Sequence, residues 1–121
     1  MTKQRNDTHS TEFGLWLRNQ PEIDSKLGFV TTNIDFFWKN WKTSKFMLIE
    51  EKRYMSDMAT FQRYIYKQLD DAFKNDPNYC GFHLLQFEKT SPTDGKIYLD
   101  HIEISENNLI KFLSFVYEPN T

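Results

Sequence analysis

Asp35, Glu50 and Lys52 are the residues whose types and spacing point most directly to chemistry. The segment NWKTS, residues 40–44, is a polar break between GFVTTNIDFFWK, residues 28–39, and KFMLIEEKRY, residues 45–54. Two apolar, β-branched and aromatic runs across so short a polar segment predict a β-hairpin. If its turn centres between Lys42 and Thr43, Asp35 lies directly opposite Glu50, with Cβ atoms about 5 Å apart. Lys52 stands two residues beyond Glu50 and so projects from the same face, whereas Glu51 points the other way. A slip of one residue would separate Asp35 from the pair, so the register carries the prediction.

Two carboxylates that close repel unless something positive sits between them. Their hard oxygens suit Mg²⁺ or Mn²⁺, which leaves positions for water and phosphate. Such a metal polarises a phosphoryl group and lowers the pKa of a bound water. Lys52 can orient or help deprotonate that water and offset negative charge in the transition state. The Ile49 or Glu50 carbonyl can complete the ligand set, and the sequence does not choose between them. The plain alternative is a solvated face with a cross-strand salt bridge.

The pattern of Asp35, a turn, and an apolar strand ending Glu50-Glu51-Lys52 resembles the PD-(D/E)xK nuclease superfamily, with its restriction-endonuclease-like fold. The first half here is Asn33-Ile34-Asp35, without Pro before the Asp. Gln62 and Tyr66, four residues apart, resemble the Gln-x-x-x-Tyr motif of the RecB-like branch. Glu12 resembles the extra acidic residue that many members place near the metal, and Glu22 is a second candidate for it. The resemblance covers residues 10–90. It implies a Mg²⁺- or Mn²⁺-dependent deoxyribonuclease in which Asp35, Glu50 and Glu12 hold metal, Lys52 assists the attacking water and Gln62 supports the site. Similarity to small resolvases and to phage- or plasmid-encoded nucleases implies an endonuclease on double-stranded or branched DNA. A catalytically inactive nuclease-fold module that binds DNA or a protein is the alternative.

Around these residues the sequence predicts a mixed α/β fold in the order α-β-β-(β)-α-β-β-α, with residues 1–9 a disordered tail and 10–121 one nuclease-like domain. Ser10 or Thr11 caps a helix running to Asn19. Leu27–Thr32 is the place for the third strand of the family's first sheet segment. Met58, Phe61, Ile65, Leu69 and Ala72 recur at spacings of three and four, the buried stripe of a helix over 55–75 capped by Ser56 or Asp57. Tyr79–Lys89 and Lys96–Ile104 read as strands around the turn Ser91-Pro92-Thr93-Asp94-Gly95, in which Pro presets φ and Gly supplies positive φ. Ser105 caps a last helix with Leu109, Ile110, Leu113 and Val116 on its apolar face.

The 121 residues allow one domain, and eleven Phe, six Tyr and three Trp supply ample apolar surface. One cysteine, Cys80, excludes an internal disulfide framework. Fifteen Lys+Arg against 17 Asp+Glu, a net charge of -2, is unlike a passive nucleic-acid coat. No apolar run approaches a membrane span and the first ten residues are polar, so a cytoplasmic protein is expected. Cys80 and His83 lack a second ligand pair, and strict alternation places them on opposite strand faces, which argues against a metal or nucleophile pair. Arg63 and Lys67 are expected on a solvated helix face. A short chain has little surface for a duplex, which favours a homodimer. Phe112, Phe115 and Tyr117 of the last helix are its expected interface. Phe37, Trp38 and Trp41, around the hairpin tip, are expected in core packing or dimer contact.

Overall fold

A computed structural model describes residues 11–116. The chain divides into two units, residues 1–33 and 34–121.

In the first unit, α1 spans Glu12–Arg18, with the Thr11 hydroxyl accepting the Gly14 amide at 2.9 Å as the expected N-cap. Two 3-10 turns follow, Pro21–Ile23 and Ser25–Leu27, and Gly28 ends the second with φ of 100°. Residues 28–34 form no strand. The third strand expected at Leu27–Thr32 is therefore replaced by a turn and irregular chain. The left-handed Gly28, which only a residue without Cβ adopts readily, breaks any extended run there.

The second unit is a five-stranded sheet in the spatial order β1-β2-β3-β4-β5, with β1 at Phe36–Lys39, β2 at Phe46–Lys52, β3 at Tyr79–Phe87, β4 at Ile97–Leu99 and β5 at Ile102–Ile104. Helix α2, Thr60–Phe73, connects β2 to β3, and α3, Glu106–Leu113, follows β5. Only the β2–β3 pair is parallel. A parallel pair needs a crossover, which α2 provides. The mixed α/β class thus holds.

Alternation along β2 divides the unit into two packed layers. Met47 and Ile49 join Leu85, Phe87, Leu99, Leu109 and Phe112 in one buried cluster beneath α3. On the other face, Phe46 meets Phe73 of α2 edge-on at 5.4 Å, and Tyr66 stacks on Phe82 at 4.1 Å. This face corrects the expected helix stripe. Gln62, Tyr66 and Phe73 turn to the sheet, while Phe61 is 42% exposed. The aromatic rings standing on the sheet select aromatic partners, so the stripe rotates toward Tyr66 and Phe73. Helix α2 also starts later than expected, with Ala59 at the N-cap, because Asp57 caps the Met58 amide and pairs with Arg63 instead.

In β3 the register against β2 shifts between Phe46 and Leu48, and Gly81 sits there with φ of 98°. One extra residue on β3 makes a bulge, so Tyr79 and Phe82 share a face despite their odd spacing. The alternation invoked for Cys80 and His83 fails at this point. The pair still has no shared chemistry: His83 Nδ1 bonds Asp100 Oδ2 at 2.7 Å and its Nε2 bonds the Cys80 carbonyl at 2.8 Å. Burial pulls the His83 pKa down, but the Asp100 carboxylate and the Cys80 carbonyl outweigh it, for a net rise.

Helix α3 is capped by Ser105 as expected, its hydroxyl accepting the Asn108 amide. Phe112 is buried in the core and Phe115 packs against it, whereas Ile110 and Val116 are exposed. The interface expected from Phe112 and Phe115 is thus consumed by the core; Tyr117, like residues 1–9, lies outside the described residues. Arg63 and Lys67 pair with Asp57 and Asp71 on an exposed face, as the solvated reading expected. No helix among the described residues is long and apolar enough to cross a membrane.

Candidate active site at the end of the central strand

The hairpin register places the site. Phe36 faces Ile49, Phe37 faces Leu48, Trp38 faces Met47 and Lys39 faces Phe46. One step further along that register brings Asp35 opposite Glu50. The chain bends at Asp35. Its Oδ2 accepts the Glu51 amide at 2.9 Å, where a regular ladder would use a main-chain carbonyl. The carboxylate therefore ends the strand pairing and is fixed by it.

Glu50 is only 2% exposed. A buried carboxylate must be hydrogen-bonded or it shifts toward its neutral form. Tyr66, 1% exposed, donates its hydroxyl to Glu50 Oε1 at 2.8 Å. Lys52 Nζ lies 3.4 Å from Glu50 Oε2, and Gln62 Nε2 lies 3.4 Å from the same oxygen. Gln62 Oε1 accepts both the Ala59 amide at 3.1 Å and Lys52 Nζ at 3.4 Å. With two donors on that oxygen, the Gln62 nitrogen is left to face Glu50, so one side chain caps α2 and braces the site. Helix α2 supplies Gln62 and Tyr66 from successive turns, which is why their spacing of four matters.

Desolvation is the largest influence on Glu50 and raises its pKa. The Tyr66 hydroxyl opposes that rise, the nearby Asp35 charge adds to it, and Lys52 lowers it. Tyr66 is held protonated by burial and by its bond to Glu50, its pKa well above the ordinary phenol value. Burial and the neighbouring Asp35 charge together outweigh what Tyr66 and Lys52 offset.

An open groove of about 560 Å³ adjoins these residues, lined by Asp35, Phe36, Glu51, Lys52, Arg53, Tyr54 and Ser56. Tyr54 and Met55 have positive φ of 54° and 57°, an uncommon conformation for residues with side chains. Three bonds impose it: the Tyr54 amide to the Lys89 carbonyl, the Met55 amide to the Phe87 carbonyl, and Gln86 Nε2 to the Ser56 carbonyl. Backbone strain that the surroundings over-determine is common beside functional sites. Arg53 and Tyr54 had no motif to mark them; their only signal was adjacency to Lys52.

Asp35, Glu50, Lys52, Gln62 and Tyr66 therefore come together. Glu12 lies in the first turn of α1 and Glu22 in a 3-10 turn, both in the first unit. No protein-family model matches this chain, and neither a curated protein nor a solved structure matches it. What the site can do rests on its own chemistry.

The donor set fits a hard divalent cation in part. Asp35 and Glu50 bring two like-charged carboxylates together, a deficit that a cation relieves. Among the described residues, however, no group of three or more His, Cys, Asp or Glu could hold a metal. A metal there would take two carboxylates and draw its remaining oxygens from main-chain carbonyls, water and phosphate, as Mg²⁺ commonly does.

Proposed function

We propose that the chain is a Mg²⁺- or Mn²⁺-dependent nuclease of restriction-endonuclease-like fold that hydrolyses phosphodiester bonds in DNA. The observation that carries this reading is the juxtaposition of buried Glu50, braced by Gln62 and Tyr66, with Asp35 and Lys52, which line an open groove. Stability alone does not explain it, since burying a carboxylate beside another carboxylate costs free energy.

In this reading Asp35 and Glu50 would hold the metal. The metal supplies Lewis acidity toward the phosphate and a lowered pKa for water. Tyr66 and Gln62 fix the Glu50 carboxylate so that little reorganisation accompanies metal binding. Lys52, 23% exposed and braced by Gln62, reaches the groove, where it orients the attacking water and balances charge on the phosphate. Arg53, 62% exposed and paired with Glu51 at 3.3 Å on the groove wall, would meet the phosphate backbone in this reading.

The second reading is a non-catalytic binding module on the same scaffold. It is favoured by the same packing, because both Glu50 oxygens already have protein donors. Calorimetric titration with Mn²⁺ separates the two. The nuclease reading expects one site, weakened at least tenfold by Asp35→Asn. Absence of Mn²⁺ binding to folded wild-type protein, even with DNA present, refutes it in favour of the module.

A further inference from the structure

The exposed edge of the sheet has a defined hydrogen-bonding phase. The Asn40 amide bonds the Lys45 carbonyl and the Glu51 amide bonds Asp35, so the odd-numbered residues of β2 turn their main chain toward β1. The Phe46 amide bonds the Asn78 carbonyl beside β3, so the even-numbered ones turn away from β1. In an antiparallel ladder, inward and outward main-chain groups alternate. On β1, therefore, Phe36, Trp38 and Asn40 point to β2, and Phe37 and Lys39 present their N–H and C=O groups to the open side.

That edge lacks the devices that normally keep edges unpaired. It has no Pro and no bulge, and Phe36, Phe37 and Trp38 are 45%, 53% and 41% exposed. Its one gatekeeping charge is Lys39. We propose that β1 pairs antiparallel with β1 of a second copy of this chain, centred on Phe37. Phe37 then faces the partner's Phe37, Phe36 faces the partner's Trp38, and Lys39 faces the partner's Asp35.

Three observations select a second copy. The outward phase admits this centring, which pairs two hydrogen-bonding residues, and forbids sliding one strand by a single residue against the other. The flanking charges become complementary, so the only charge guarding the edge acquires an opposite partner on each side. The aromatic residues of the strand meet aromatic residues, a pairing that stabilises cross-strand neighbours. The two sheets then join as one. Each Lys39 comes alongside the bend at Asp35 of the other copy. The partner thus adds a positive charge at the rim of the carboxylate site, and the two Asp35 positions lie on the order of 14 Å apart. This pairing does not depend on the nuclease reading.

The contact is small. Three half-exposed aromatic side chains per copy offer on the order of 100 Å² each, which belongs to weak, concentration-dependent association. Sedimentation velocity from about 5 to about 500 μM, a span suited to micromolar affinity, should show monomer converting to dimer. Phe37→Pro removes an outward N–H without touching the β1–β2 ladder, so it should weaken association at least tenfold. Should that variant misfold, cysteine cross-linking decides. In a Cys80→Ser background, Phe37→Cys should form a disulfide-linked dimer, because facing Cα atoms about 5.5 Å apart are within disulfide reach. Lys39→Cys, which faces residue 35, should not. A wild type that stays monomeric across the range, a folded Phe37→Pro dimer of undiminished affinity, or cross-linking at 39 in preference to 37 would each overturn the proposal.

Discussion

Tyr66→Phe probes the site through one atom. The Tyr66 hydroxyl donates to Glu50 at 2.8 Å, whereas Lys52 and Gln62 stand at 3.4 Å, near the outer limit of a hydrogen bond. Both partners are buried, so water does not replace the lost donor. A hydrogen bond to a charged group contributes about 1.5–3 kcal/mol, so the variant should lose about 2 kcal/mol at pH 8. For a domain of this size that is a fall in Tm of roughly 8 °C. The loss should depend on pH. Glu50 has a folded pKa raised above its unfolded value, so the folded state gains from protonation and loses stability as pH rises through the folded pKa. The Tyr66 bond opposes that rise, and its removal lifts the folded pKa further. The wild-type–variant difference should therefore shrink toward about 1 kcal/mol as pH falls and Glu50 becomes neutral. Urea denaturation of both proteins between about pH 4 and pH 8 measures it, with other titrating groups cancelling in the difference. A pH-independent gap, or one below about 0.5 kcal/mol at pH 8, would show that Tyr66 does not hold a charged Glu50.

Other perturbations test neighbouring parts of the argument. Glu50→Gln should raise stability at pH 8 by about 1 kcal/mol while abolishing Mn²⁺ binding, since it removes a buried charge but keeps an acceptor for Tyr66; a large loss of stability would contradict this. His83 has a raised folded pKa, so its stabilisation is present below the unfolded value and is lost as pH rises through the folded one. Asp100→Asn, which keeps a residue tolerant of the positive φ there, should therefore destabilise more at pH 6 than at pH 9 in paired melts. Gly81→Ala places a Cβ 3.1 Å from His83 Nε2 at a φ of 98° and should cost about 2 kcal/mol by urea titration.

The hairpin was legible because alternation, turn position and the charged triad all agreed on one register, and the ladder from Phe36–Ile49 to Lys39–Phe46 has that register. Gln62 and Tyr66 were legible from a spacing of four on a helix that had to follow the strand. The α2 stripe was misread because periodicity counts apolar residues, whereas the sheet beneath selected Tyr66 for its ring and for a hydroxyl that could satisfy Glu50. The start of α2 was misread because Asp57 is a good cap in isolation but is committed to Arg63 and the Met58 amide, while the Ser56 main chain is pinned by Gln86 ahead of the helix. The β3 bulge gave only a lone Gly81 as its signal, and the alternation rule failed there for that reason. The strand expected before the hairpin was inferred from the family pattern, and Gly28 with its positive φ stands in its place. Phe112 was misassigned because an aromatic helix end reads the same whether it meets a partner or its own sheet.

The decisive measurement is cleavage of end-labelled single-stranded, double-stranded and branched DNA by wild type, Glu50→Gln and Lys52→Met, in Mg²⁺ or Mn²⁺ and in EDTA. The site described here predicts metal-dependent cutting by wild type that falls by at least a hundredfold in both folded variants. Cutting that survives both substitutions, or folded wild-type protein that binds Mn²⁺ yet cuts none of the substrates, would contradict it.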